Sequence, residues 1–377
     1  MPELAERAAL TALIAQLYHR EITDRELTEK AKQFSKAYLD LSDQKLSNAP
    51  TTTSQTPVKG LKRRPRVGLL SPLFAAGPLY YLTYETFKAL SREADLIIFS
   101  RGKKSDWATE AFQGIAKSWI DCAEMPARPL AQTIADTQID MLFELGGWMD
   151  PEGLKAASLK PAKKLFKWVG GQAMTTGLRC FDGFLSDLWQ TPPGSQSLYT
   201  EPLILLPGGY VRYAKPKDFP KPALRKDAAV AALIGNPLKV TEKTIDLLVK
   251  KPKKSGATIP EIRELRLIDR RYGHPKVLAR IERLLERFHG EVTVIACQDH
   301  AEFLKEISRP EWVIDTTPYS AGLTAREALA MGAKLLTAHP DAKLFASRHG
   351  MAAQSAFAAQ VKQKPESLAS VFKRTLL

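Results

Sequence analysis

Gly322, Thr324 and Glu327 fall within "DTTPYSAGLTAREALAMG", residues 315–332, where an apolar run gives way to small residues and then to a helix-forming stretch. In α/β proteins such a junction holds phosphate and ribose, because the first helical amides are unpaired and carry the positive end of the helix dipole. Gly322 has no side chain to keep a diphosphate off the backbone, and the amides of Leu323 and Thr324 follow directly. Glu327 can accept from ribose hydroxyls. With Thr324 it also has the spacing of a capping box, which is the purely structural alternative.

Three further stretches set polar side chains just past apolar runs. In "IGNPLKVT" (234–241), Asn236 can donate to a phosphate oxygen and Lys239 can neutralise one, although a plain turn shaped by Pro237 accounts for the same residues. In "ACQDHAEFL" (296–304), Gln298 and His300 follow a strand-like run; a lone histidine beside a turn is more often structural. In "FASRHG" (345–350), Arg348 is either a further anion contact or a surface charge.

Positioning these groups requires a sheet. "RVGLLS", "ADLIIFS", "IDMLFELGG", "KLFKWVGG" and "FDGFLSD" are continuous apolar runs alternating with helical stretches between residues 66 and 187. Strands covered on both faces read this way, so the pattern predicts a parallel sheet with crossover helices. After a proline-rich break over 201–228 the alternation restarts at 229–236, 291–297, 310–316 and 333–338, with a charged helical region expected over 242–289. In doubly wound sheets ligands sit at the carboxyl ends of strands, where all four polar stretches fall. The expected partition is a helical segment over 1–48, a linker over 49–64, an α/β domain over 65–213, and a second over 214–377 with a terminal helix.

Composition bounds the alternatives. The chain has 377 residues, 44% hydrophobic and 25% charged, which suits two folded domains. It contains no run of about 18 apolar residues, so a membrane span is not expected. The start "MPELAERAAL" carries Glu3 and Glu6 and lacks the basic and apolar regions of a secretory signal, so the expected location is cytoplasmic. Cys122, Cys180 and Cys297 form no metal-binding spacing and fit reduced thiols. A net charge of +14 gathers partly in "KGLKRRPR" (59–66), "KPAKK" (160–164) and "VKKPKK" (249–254). No aromatic interleaving or groove-reading motif accompanies these clusters, which argues against nucleic acid as the partner.

In order and spacing, the segments resemble the catalytic region of the O-GlcNAc transferase family, the family 41 glycosyltransferases, over about residues 64–360. "DTTPYSAGLTAREALAMG" is similar to the D-T-x-P-Y-N-G-x-T-T-x-x-E-A-L-x-M-G stretch of its bacterial members, with "FASRHG" matching F-x-S-R. "GNPLKVT" and "DHAEFL" resemble its phosphate-binding and nucleotide-contacting segments, and "RVGLLSPLF", "IDMLFELGGWM", "LKPAKKLFKWVGG" and "TTGLRCFDGFLSD" follow its N-terminal motifs. The resemblance implies a GT-B fold, two Rossmann-like domains flanking a cleft, with a UDP-sugar held mainly by the C-terminal one. It implies inverting transfer of a hexose or N-acetylhexosamine to a protein or peptide side chain, with no metal and no cofactor beyond the donor. Positions matching the family's UDP contacts are Asn236 and Lys239 at the phosphates, Gln298 and His300 near the uracil, Gly322, Leu323 and Thr324 in the diphosphate loop, and Glu327 at the ribose. Lys239 and Asp121, in "WIDCAE", are the expected catalytic residues.

The chain also departs from the family. "SPLFAAGP" carries Leu73 and Gly77 where the family motif has an aspartate and a histidine, and the tetratricopeptide-repeat array is missing. Asp121 is then the acid left to assist an acceptor, although water or a substrate phosphate can also take a proton. The competing reading is a degenerate transferase that binds a nucleotide or a partner without chemistry.

Overall fold

The computed structural model describes residues 2–18, 22–47, 63–171, 174–249, 261–338, 345–362 and 370. By internal contacts the chain divides into two units, and the helical N-terminal segment is shared between them: residues 2–13 group with the first unit, along with 24–214, while Ile14–Thr23 group with the second, along with 215–363. This segment comprises α1 (Pro2–Ala15) and α2 (Asp24–Phe34). The expected linker lies outside the described residues except for 63 and 64.

In the first unit the strands are β1 (Arg66–Ser71), β2 (Asp95–Ser100), β3 (Ser118–Asp121), β4 (Met141–Glu144), β5 (Lys164–Lys167), β6 (Gly183–Ser186) and β7 (Leu203–Leu205). They form a seven-stranded sheet in the order β3-β2-β1-β4-β5-β6-β7, with every pairing parallel. The helices α3 (Pro78–Leu90), α4 (Trp107–Ile115), α5 (Ala127–Asp136) and α6 (Pro151–Ser158) lie between strands in the chain. Their starts are written locally: Pro78 and Pro151 open α3 and α6, and Asp106 caps α4 in a capping box with Thr109. β3 and β7 are additions to the sequence reading. β3 presents exposed ends and only half-buried middle residues, and β7 lies inside the proline-rich break, so neither forms a buried apolar run.

The sheet order reverses between β1 and β4, and protein groups fill the carboxyl end of β4. Glu144 accepts from the amides of Gly146 and Gly147 at 2.7 and 2.9 Å, and its carboxylate lies 3.4 Å from the Lys167 ammonium. Lys167 in turn donates to the carbonyls of Val169 at 2.5 Å and Trp168 at 3.3 Å. Both side chains are fully buried, which pushes the Glu144 carboxyl up and the Lys167 ammonium down from their ordinary ranges.

The second unit contains β8 (Asp227–Ile234), β9 (Glu264–Ile268), β10 (Glu291–Ile295), β11 (Pro310–Ile314) and β12 (Lys334–Leu336) in the order β10-β9-β8-β11-β12, again parallel throughout. Its helices are α7 (Glu242–Val249), α8 (Pro275–Leu284), α9 (His300–Ser308), α10 (Leu323–Ala330) and α11 (His349–Lys362). Alternation along β8 shows why both faces need cover. Ala232 and Ile234 pack with Leu304, Ala325 and Ala328, while Ala231 and Leu233 pack with Ile245, Tyr272 and Ile281. The charged region expected to be helical over 242–289 contains a strand, β9, next to the central β8. Glu264 and Arg266 disguise it: they pair at 2.7 Å, so one strand face carries a neutralised couple.

Candidate functional site

All five strands of the second sheet are parallel, so their carboxyl ends share one edge, and most of the expected site residues arise there. β8 runs into Gly235, whose φ of +86° suits glycine and whose missing side chain faces Thr324; a Cβ there would lie 3.7 Å from the Thr324 hydroxyl. Asn236 follows and caps the turn Pro237–Lys239 by accepting from the Leu238 amide at 3.1 Å. The lysine at the end of that turn is held by the next junction: the Lys239 ammonium donates to the Ser320 carbonyl at 3.2 Å and lies 3.7 Å from the centre of the Tyr319 ring. Burial lowers Lys239 to about 8, against the pull of the Asp315 charge and with a further push from Arg271.

Asp315 organises the loop that follows β11. Its carboxylate accepts from the Ala321 amide at 2.7 Å and from the Ser320 hydroxyl. The Ser320 hydroxyl oxygen accepts from the Gly350 amide at 2.7 Å. Burial raises Asp315 to about 7 despite these bonds and the nearby Lys239 charge. His349, at the start of α11, is held neutral: burial, with Lys239 and Arg326 nearby, depresses it to about 3. A Cβ on Gly350 would stand 2.1 Å from an Asp315 oxygen. Gly350→Ala is therefore expected to destabilise the fold by about 1–3 kcal/mol, since a buried carboxylate has nowhere to retreat. Urea unfolding checks this, and an unchanged midpoint would contradict the tight approach.

Gly322 is the N-cap of α10 and offers no side chain to its first amides. A methyl group added there would meet nothing within 4 Å, so neighbouring packing does not demand the glycine. Glu327 is not the partner in a capping box. It is buried one turn inside α10, and its carboxylate lies 2.6 Å from Nε2 of His300, the first residue of α9. A carboxylate has about four acceptor positions, so this bond leaves capacity for other donors. His300 stacks near Phe303, while Asp299 caps α9 by accepting from Glu302. Gln298 is exposed and is tied down through its backbone amide, which donates to Glu302 at 2.6 Å.

Lys239, Gly322, Leu323, Thr324, Glu327 and His300 thus belong to one connected edge, through Ser320 and the Gly235–Thr324 approach. Asp315, Tyr319, Ser320 and His349 complete it and escaped the sequence reading. Asp315 carried a legible signal, an acid directly after a buried strand. In "FASRHG" the buried contributors are Ser347, His349 and Gly350, with Arg348 only half-buried.

Asp121 belongs to the first unit. It is exposed at the carboxyl end of β3, where it accepts from the Ala123 amide at 3.0 Å. It lines an open concavity of about 740 Å³ together with Lys103, Lys104, Gln113, Trp119 and Glu124. Lys103 pairs with Glu124 and Lys104 with Asp106, at 2.5 and 2.9 Å. Leu73 is packed against the hydrophobic core, and Gly77 is the N-cap of α3. Among the described residues no group of three His, Cys, Asp or Glu is placed to hold a metal, and no helix is long and apolar enough to cross a membrane.

Two units, each a parallel sheet with crossover helices and with polar groups collected at strand carboxyl ends, make up the GT-B fold of glycosyltransferases. The chain is similar to a mutant O-GlcNAc transferase from Thermobaculum terrenum, with a TM-score of 0.79 and 23% identity over 98% of this chain and 73% of that one. Fainter likenesses are to Anabaena HepE in complex with UDP and glucose (TM-score 0.48, 12% identity, 82% of this chain and 99% of that one) and to the lipopolysaccharide outer core galactosyltransferase WaaB (0.46, 12%, 72% and 79%). No family profile and no curated protein sequence matches the chain.

Proposed function

We propose that the chain is a glycosyltransferase that takes a hexose or N-acetylhexosamine from a UDP-linked donor held by its second unit. The observation that carries this reading is the strand edge that gathers Lys239, bonded to Ser320 just before α10, the uncapped start of α10 and the Glu327–His300 pair. Departure of UDP leaves negative charge on the diphosphate, and a fixed ammonium beside helix-start amides stabilises it. Because protein groups supply that positive charge, we infer a metal-independent reaction. Glu327 is assigned to the ribose, His300 and Gln298 to the base, and Asn236 to the phosphates.

The reaction is a single displacement with inversion. An acceptor oxygen or nitrogen attacks the anomeric carbon, the bond to the diphosphate oxygen breaks, and the acceptor proton passes to a base. Asp121, exposed in its concavity, is assigned that proton, and the acceptor is assigned as a protein or peptide side chain. The three free thiols accord with a cytoplasmic setting.

One observation favours a second reading, nucleotide binding without transfer: Leu73 is core-packed and Gly77 has no side chain where the family has acid and base. Calorimetric titration with UDP, with ADP and GDP as controls, tests the donor site. Selective UDP binding is expected, and no binding to any nucleotide would overturn it. Release of free UDP from a UDP-sugar in the presence of a protein acceptor then separates transfer from mere binding.

A further inference from the structure

We propose that Tyr18, which precedes both sheets in the chain, is a positioning residue of the donor site, acting through the Tyr319 ring on which the Lys239 ammonium rests. Tyr18 ends the short turn Gln16–Tyr18 after α1, within the stretch that groups with the second unit. The turn is anchored by Leu17, which is 3% exposed, with Leu13 also buried. Tyr18 then meets Tyr319 edge to face, with ring centres 5.2 Å apart and planes at 69°. His349 lies against the same ring, 6.2 Å away and tilted by 40°. Lys239 stands 3.7 Å from the ring centre.

Lysine is a compact charge on a flexible stem, so something must confine it if it is to meet a diphosphate in one place. Here the confinement is the Ser320 carbonyl and the π-face of Tyr319. An edge-to-face contact fixes the orientation of a ring as well as burying it. Without Tyr18 the Tyr319 ring loses one of the contacts that fix its plane, His349 remaining on it, and its hold on the ammonium loosens. The charged and titratable groups that face Lys239 are Asp315, Arg271 and His349. Burial keeps the Tyr18 hydroxyl protonated, so Tyr18 contributes a ring and not a charge. The inference concerns the apo protein and rests on the donor reading only for its effect on UDP.

The test uses the full chain with Tyr18→Ala, Tyr18→Leu and Tyr18→Phe. Leucine keeps apolar bulk without a ring, and phenylalanine keeps the ring without the hydroxyl. UDP affinity is expected to fall about five- to tenfold in the first two and to be retained in the third. In parallel, NMR titration of isotope-labelled lysine follows Lys239 without any nucleotide. Its midpoint is expected at about 8 in the wild type, and should rise toward the ordinary lysine range in the alanine and leucine variants but not in the phenylalanine variant. An unmoved midpoint in folded Tyr18→Leu would overturn the proposal. If the wild type binds no UDP, the donor reading fails while the lysine midpoint still decides this one.

Discussion

Replacing Lys239 with alanine is expected to lower sugar transfer by about 10²–10³-fold, the usual cost of removing one preorganised group from developing negative charge. The ammonium is half-buried and is bonded to the Ser320 carbonyl above the Tyr319 ring, so water cannot simply take its place at the same point. Arginine is not expected to rescue, because a planar fork does not fit where a compact charge sits on a ring. A pH profile gives an independent check. Burial lowers the lysine to about 8, so its charge is present below that pH and is lost as pH rises through it. Wild-type transfer should therefore fall on the alkaline side of about 8, and the alanine variant should lack that limb. Single-turnover release of UDP measures both. A variant that folds and transfers at the wild-type rate would remove Lys239 from the mechanism.

Glu327→Ala is expected to weaken UDP binding by about tenfold or more, since a hydrogen bond to a charged group typically contributes about 1.5–3 kcal/mol. Two losses combine: the contact with the ribose, and the 2.6 Å bond that orients His300. Glu327→Gln keeps an acceptor oxygen and should retain part of the affinity. Inorganic pyrophosphate discriminates the roles, because it has no ribose. Its binding should survive Glu327→Ala and be lost in Lys239→Ala. If pyrophosphate and UDP weaken together in Glu327→Ala, the glutamate supports the loop and does not read the sugar.

What the sequence made legible followed from how completely a strand is buried. Runs such as "RVGLLS" and "ADLIIFS" announce strands because both faces meet helices. β9 hid because Glu264 and Arg266 neutralise each other within the strand, a fact of side-chain geometry that a one-dimensional pattern does not carry. What was legible of the candidate site was position: Lys239 and Gly322 each come shortly after a strand end, as the apolar runs before them imply. Glu327 stands out in the sequence as a candidate, yet its spacing from Thr324 equally suggests a cap, and only the packing of α10 beside α9 shows His300 as its partner. Tyr18 and Tyr319 are about 300 positions apart, and no local periodicity links positions so distant; long-range contact is where such reading ends.

The Glu144–Lys167 couple has a consequence for how this chain can change over generations. Each member alone is a buried charge whose partner's loss costs about 3–5 kcal/mol, a large share of the roughly 5–15 kcal/mol that separates a domain from its unfolded chain. Exchanging both together avoids an unpaired charge, but it still strips the buried Gly146 and Gly147 amides of the acceptor that Glu144 provides. The two positions are therefore tied across β4 and β5, and the Gly146 and Gly147 amides tie them further to the turn that follows: neither residue is free to change alone.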